Sequence, residues 1–353
     1  MKIALVGTIE TPINRDSIAG TEVWTYNFAE NLIKRGHQVT LFASTGSKFS
    51  GDLVAVNDRE DVIDPETGSF QKKRLDTFCV NEMIQVAKRI EEFDIVHLSV
   101  FRFYLYLPIV KLIQKPVVIT VHGSPFDAKD AKIIDAKFGE PSYALISKNC
   151  GTVWPDSSRK NIIYNGIEAE NFPFCDTKED YYFWMGRLVP DKGVDDAIAF
   201  AVKTGSKLLI AGPLGENQYF EEKVKPFLND KIKYLGELNL EEKVGYYQHA
   251  KAFLMPIKWE EPFGLVVVES MCCGTPVIAY DRGAMREIID DGVNGFIVKP
   301  NDVEGLIDAS KRLDRIDLKK CREKVEDYFT IEKMVDDYEK VYRGLVGPDN
   351  SSK

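Results

Sequence analysis

The chain has 353 residues, 29% of them charged, and a formal net charge of −9, values of a folded globular protein long enough for two domains. The acidic balance argues against nucleic acid as a partner and against a broad electrostatic grip on anionic lipid. No apolar run approaches the length of a membrane span, and the six cysteines (Cys79, Cys150, Cys175, Cys272, Cys273, Cys321) lack metal-type Cys-x2-Cys spacing, as expected of reduced thiols in the cytoplasm.

Residues 2–6 read as a continuous apolar strand rather than a signal peptide, and Gly7-Thr8 turns out of it. Ala19-Gly20-Thr21-Glu22 opens a helix to about Lys34, with Val23, Phe28, Leu32 and Ile33 at helical spacing and Gly36 as its stop. Residues 39–43 form the next strand. This opening β-α-β unit predicts a parallel sheet with its ligand crevice at the carboxyl ends of the strands. Gly-x-Gly-x-x-Gly is absent, so a dinucleotide site has little support. Gly20 and Thr21 suit a phosphate, a sugar or a plain helix cap, and the sequence leaves these open. A helix over 78–91, a strand over 95–97, an aromatic helix over 101–113 interrupted at Pro108, and a strand over 117–121 follow. That last strand delivers His122-Gly123-Ser124-Pro125 to the crevice, which makes His122 a candidate functional residue. Strands over 143–146 and 152–154 are expected to close this sheet.

A second alternating series begins at residues 181–185, a strand that empties into Gly186-Arg187-Leu188-Val189-Pro190-Asp191-Lys192-Gly193 before a helix from Val194. Arg187 and Lys192 at a glycine-flanked turn bring two cations, exposed amides and a helix dipole together, a set that suits a diphosphate. Further strands are predicted at 208–211, 232–235, 253–255, 277–279 and 296–298. Between the last three lies WEEPFGLVVVESMCCGTPVIAYDRGAMREIIDDGVNGF (259–296), with a buried helix predicted over 263–273 and closed by Gly274 and Pro276. Glu261 then stands at the helix entrance and Glu269 roughly 12 Å further along, so that both carboxylates can line one elongated ligand. The amides of Phe263, Gly264 and Leu265 would face a phosphate or a hydroxyl-rich group. Glu260 and Glu261 could instead complement the helix dipole. Glu269, inside an apolar face, needs a partner, and a ligand is the economical one. The terminal segment 331–342 is helical by its spacing and suits either domain.

The stretches EPFGLVVVE (261–269), GTPV (274–277) and DGVNGF (291–296), with RGHQVTLFAS (35–44), WMGRLVPDKG (184–193) and YLGELNLEEK (234–243), resemble retaining glycosyltransferase family four. Within it they are most similar to UDP-sugar-dependent members, including a tetrahydrobiopterin glucosyltransferase-like group. The resemblance implies an α/β GT-B fold, two Rossmann-like domains with a ligand cleft between them. It implies an acceptor-side domain over 1–168 with a crossover helix over 331–346, a nucleotide-sugar domain over 169–330, a hinge near 162–174 and a disordered tail over 347–353. By the same resemblance Gly186, Arg187 and Lys192 hold the donor diphosphate, and Glu269 holds the ribose. Glu261 with the amides of Phe263, Gly264 and Leu265 holds the hexose, and Leu238 borders the base. His122 sits beside the hexose on the acceptor side, and Gly20 and Thr21 lie near the phosphates. Glu261, His122, Arg187 and Lys192 form the catalytic set.

The chemistry required is stabilisation of a departing diphosphate. No Asp-x-Asp triplet occurs, so no metal and no cofactor are expected beyond the donor, a UDP-hexose. The resemblance also implies a front-face reaction. The acceptor, whether small molecule, glycan or lipid-linked, is unassigned, with no nucleic acid and no stable membrane insertion. The alternative is a catalytically silent nucleotide-sugar-binding protein on the same fold. The sequence departs from the family at Ala19-Gly20-Thr21-Glu22, where many members carry two glycines, in the short region 126–150, and at Ser147-Lys148-Asn149-Cys150. All three departures bear on the acceptor side.

Overall fold

The computed structural model describes residues 1–17, 19–64, 69–123, 127–156, 159–215 and 217–347. The chain separates into two compact units, Met1–Asn165 together with Ile331–Lys353, and Gly166–Thr330. The first unit holds β1 (Lys2–Val6), β2 (Gln38–Ala43), β3 (Asp52–Ala55), β4 (Ile95–Leu98), β5 (Val117–Val121), β6 (Ser142–Leu145) and β7 (Lys160–Ile162). They run in the order β3-β2-β1-β4-β5-β6-β7, every neighbouring pair parallel. The second unit holds β8 (Tyr182–Met185), β9 (Leu208–Ala211), β10 (Ile232–Tyr234), β11 (Ala252–Met255), β12 (Val277–Tyr280) and β13 (Gly295–Val298). Their order is β10-β9-β8-β11-β12-β13, again parallel throughout.

Parallel sheets need helices on both faces, and the central strands are accordingly buried along their length, as in β5, β11 and β12. The strand order reverses at β1/β4 in the first unit and at β8/β11 in the second. At such a switch point the connections leave in opposite directions and open a crevice at the carboxyl ends of the strands. The loops after β4 and β5, and those after β8 and β11, therefore carry the residues of interest.

Several expectations are corrected. Residues 152–154 are not a strand: Cys150–Val153 is a 3₁₀ turn, and β7 closes the sheet. The reason is aromatic packing, since Trp154 turns inward to lie 4.6 Å from Tyr143. Residues 101–113 are not one helix but a 3₁₀ turn, Phe103–Leu105, and a four-residue helix, Leu107–Val110, with Pro108 in its first turn, where a missing N–H costs nothing. The helix expected over 78–91 is Lys72–Lys88. Strand β3 has no apolar run to announce it, because an exposed edge strand needs none. Residues 348–353 of the tail, and Ser124 and Pro125, lie outside the described residues.

The terminal helix Ile331–Val346 buries Ile331, Met334, Val335, Tyr338 and Tyr342 along one face. These join Ile3, Leu5, Trp24, Phe28 and Leu32 in the core of the first unit. At the helix flank His37 meets Glu339 at 2.8 Å and Arg35 meets Asp336 at 2.5 Å. Its sequence spacing allowed either unit, and the packing assigns it to the first.

Candidate active site

In the second unit the loop after β8 carries Gly186, Arg187 and Lys192, and the loop after β11 carries Trp259, Glu260 and Glu261. Because β8 and β11 are neighbours, the two loops meet, and the amide of Lys258 donates to the carbonyl of Asp191 at 2.8 Å. Gly193 makes this approach possible. It has φ of 73°, and a Cβ there would lie 1.8 Å from the Pro256 carbonyl oxygen. Lys192 and Glu261 are thereby brought into direct contact, with Nζ donating to Oε2 at 2.6 Å. The Trp259 indole N–H also donates to that oxygen, at 3.0 Å, and its ring lies 4.8 Å beneath the Lys192 ammonium. Glu261 keeps Oε1 unclaimed among the described residues.

The backbone of Glu261 is held by the loop after β12. Ala284 donates to its carbonyl at 2.9 Å, and Gly283, at φ of 57°, presses so close that a Cβ would stand 2.1 Å from that oxygen. Glu260 points elsewhere, accepting from Arg282 at 3.0 Å and from the Gly283 amide at 2.7 Å. Neither glutamate caps a helix. The helix is Leu265–Cys272, later than expected, because Gly264 precedes it in the left-handed region at φ of 98°. Phe263 is therefore outside the helix and buried. The amides of Gly264 and Leu265 have no hydrogen-bond partner among the described residues.

Glu269 corrects a second expectation. It is buried on this helix, but its partners belong to the fold: Lys243 donates to Oε1 at 2.7 Å and the Tyr247 hydroxyl to Oε2 at 3.1 Å. Both come from the helix Leu240–His249, whose start is fixed by a reciprocal Asn239–Glu242 capping box. A carboxylate offers about four acceptor positions, so two remain for a ligand. Lys243 lies in the YLGELNLEEK stretch quoted above, yet its pairing across to Glu269 has no sequence signature. Leu238, half-buried, follows β10 in the same connection, where the Gly236 carbonyl accepts from the Gly212 amide at 2.8 Å. Arg187 is exposed and has no ion pair or hydrogen bond from its side chain among the described residues.

In the first unit, Gly20 and Thr21 open the helix Gly20–Lys34. The cap is Ala19, without a side-chain hydrogen bond, so the plain N-cap reading of Thr21 does not hold. His122 stands just past β5 and is partly buried, its ring edge-to-face with Trp24 at 4.9 Å. Its Nε2 is 2.9 Å from the Ser99 hydroxyl, which is 2.8 Å from the Thr25 hydroxyl, which in turn donates to the Thr21 carbonyl at 2.8 Å. Sequence reasoning missed Ser99 and Thr25. Burial lowers the His122 pKa to about 3, so the ring is neutral. A second buried histidine, His97, bonds Tyr342 and Thr120.

Among the described residues no group of His, Cys, Asp or Glu is arranged to hold a metal ion. No helix among them is long and apolar enough to cross a membrane.

Residues 18–149 match the model of Glycosyltransferase Family 4, and residues 168–328 that of Glycosyl transferases group 1. The chain is 24% identical to the N-acetyl-alpha-D-glucosaminyl L-malate synthase of Bacillus anthracis, over the full length of both. Its fold is similar to that of sucrose-phosphate synthase from Thermosynechococcus elongatus, with a TM-score of 0.80 at 20% identity over 98% of each chain. It is also similar to Anabaena HepE, solved in complex with UDP and glucose, with a TM-score of 0.76 at 17% identity over 98% of this chain and 100% of that one. With its two parallel sheets and both family domains in order, the chain belongs to the family-four glycosyltransferases of the GT-B fold.

Proposed function

We propose that the chain is a retaining, metal-independent hexosyltransferase that takes a nucleotide-diphospho-sugar, in the first instance a UDP-hexose, and works in the cytoplasm on a small-molecule, glycan or lipid-linked acceptor. The observation that carries this reading is the cation pair of one loop. Arg187 is unpaired among the described residues, and Lys192 is held by a carboxylate, Glu261, that a diphosphate could replace. An incoming diphosphate draws the Lys192 ammonium away, and the released Glu261 turns to the hexose hydroxyls. The amides of Gly264 and Leu265 add donors nearby, while Gly186, whose own amide donates to the Ala211 carbonyl at 3.0 Å, contributes a backbone without a side chain beside the diphosphate. Glu269 uses its two spare acceptor positions for the ribose, and Leu238 borders the base.

In the reaction the C1–O bond to the diphosphate breaks and its electron pair stays on the phosphate oxygen. Arg187 and Lys192 stabilise that growing charge. The acceptor oxygen bonds C1 from the same face, and its proton passes to the departing phosphate oxygen. The resemblance of the chain to UDP-sugar-dependent members, and the UDP and glucose in HepE, support the choice of donor. Hydrolysis of UDP-, GDP- and ADP-glucose without acceptor, each with and without EDTA, tests the reading. Turnover of the UDP donor unaffected by EDTA is the expected result. Abolition by EDTA would overturn metal independence, and binding without any turnover would point to a catalytically silent nucleotide-sugar-binding protein.

A further inference from the structure

The hydrogen bonds around His122 run in one direction only. The Thr21 carbonyl can only accept, so the single hydroxyl proton of Thr25 is committed to it. The 2.8 Å contact between Thr25 and Ser99 must then use the proton of Ser99, with Thr25 accepting. Ser99 has no second proton to give, so at 2.9 Å it accepts from the ring, and Nε2 of His122 is the nitrogen that carries hydrogen. Nδ1 is left with a lone pair that no described residue claims. Thr25 and Ser99 are both fully buried, so water does not scramble this order. The elements involved are rigid: Thr25 lies within the helix Gly20–Lys34, Ser99 directly follows β4, and His122 directly follows β5.

We propose that Ser99 and Thr25 are positioning residues, which fix His122 as the Nε2–H tautomer and leave Nδ1 as the acceptor of a hydrogen bond from a substrate hydroxyl. This rests on the hexosyltransferase reading for the identity of the substrate but not for the tautomer. A polar hydroxyl held by Nδ1 explains why a neutral histidine occupies the carboxyl end of β5. A protonated ring would present donors on both nitrogens and could accept nothing.

The tautomer is measured on the ligand-free protein by long-range proton–nitrogen correlation of the imidazoles. With only four histidines in the chain, His122 is assigned by its loss in His122→Phe. The expected spectrum shows His122 with a protonated Nε2 and a bare Nδ1 at pH 7; a protonated Nδ1 would overturn the proposal. Thr25→Val keeps the shape but frees the Ser99 proton to turn toward Nε2, so part of the ring population should move its hydrogen to Nδ1. Thr25→Ser should restore the wild-type spectrum.

The kinetic arm uses acceptor-free hydrolysis of UDP-glucose and its monodeoxy analogues. Thr25→Val should lower kcat by roughly twofold, in proportion to the share of rings that leave the competent tautomer, with KM little changed, and Thr25→Ser should recover it. If the deficit disappears with one monodeoxy donor, the hydroxyl belongs to the hexose. If it persists with all of them, no hexose hydroxyl meets Nδ1 and the contact to a substrate hydroxyl is overturned. A shifted tautomer with unchanged hydrolysis would sink the substrate contact. Absence of hydrolysis in the wild-type protein would instead count against the hexosyltransferase reading, while the spectrum still decides the tautomer.

Discussion

The two units hold their candidate residues by opposite means. In Gly166–Thr330 the groups, Arg187 apart, are acids and bases that already pair with one another: Lys192 with Glu261, Lys243 with Glu269, Arg282 with Glu260. A ligand there must exchange partners with the protein, and charge is conserved across the exchange. In Met1–Asn165 the corresponding groups are neutral, His122 and His97 being kept uncharged by burial and ordered by hydroxyls. The first arrangement suits a diphosphate that gains charge as its bond breaks. The second suits a hydroxyl that must be oriented without being ionised.

The contrast can be broken at four points, taken from the largest effect downward. Lys243→Met leaves the carboxylate of Glu269 buried with only a tyrosine hydroxyl, and should cost about 3 kcal/mol of folding stability, the lower end for a broken buried pair because both groups retain some exposure. Urea unfolding of the variant measures it, and a loss below about 1 kcal/mol would mean the pair behaves as a surface bridge. Next, Arg187→Ala should lower kcat/KM for donor hydrolysis by about 10²-fold with fold stability little changed, since the exposed guanidinium has no ion pair or hydrogen bond among the described residues. A change confined to KM would show that it binds donor without sensing the transition state.

The third concerns the neutral side. Burial and the neighbouring His122 lower the His97 pKa to about 3, against an ordinary value of 6.5. Below pH 6.5 the unfolded chain takes up a proton that the folded one refuses, so stability falls with pH until about pH 3. At pH 5 the loss from this one group is about 2 kcal/mol. His97→Gln removes that term, so the stability gap between wild type and variant should narrow by that amount between pH 7.5 and pH 5. A gap independent of pH would mean that His97 titrates normally.

The smallest effect has the most diagnostic sign. Glu261→Gln removes the competitor for the Lys192 ammonium, and UDP has no hexose to miss the carboxylate. UDP affinity should therefore rise by roughly 2- to 5-fold, the worth of a partly exposed ion pair, while donor hydrolysis collapses. Calorimetry with UDP decides it. Weaker UDP binding would make Glu261 a structural support for the Lys192 loop and end the partner-exchange account.

Local sequence determined which segments are strands and helices wherever apolar runs are strong and turns carry glycine or proline. It also placed Arg187, Lys192, Glu261 and His122 just beyond strand ends, because in a parallel sheet the residues after each strand fall at one edge. What tertiary structure alone decided is the pairing. Lys192 and Glu261 are 69 positions apart and Lys243 and Glu269 are 26, yet both pairs close to within 2.7 Å. The adjacency of β8 and β11 makes the first pair, and the packing of two helices on that sheet makes the second. The same holds for Thr25, Ser99 and His122, each unremarkable in its own stretch. A hydrogen bond depends on distance in space, and chain spacing fixes that distance only within one element. Across elements it is set by strand order, by Gly193 and Gly283 letting backbones touch, and by the burial that makes each orphaned charge or hydroxyl find a partner.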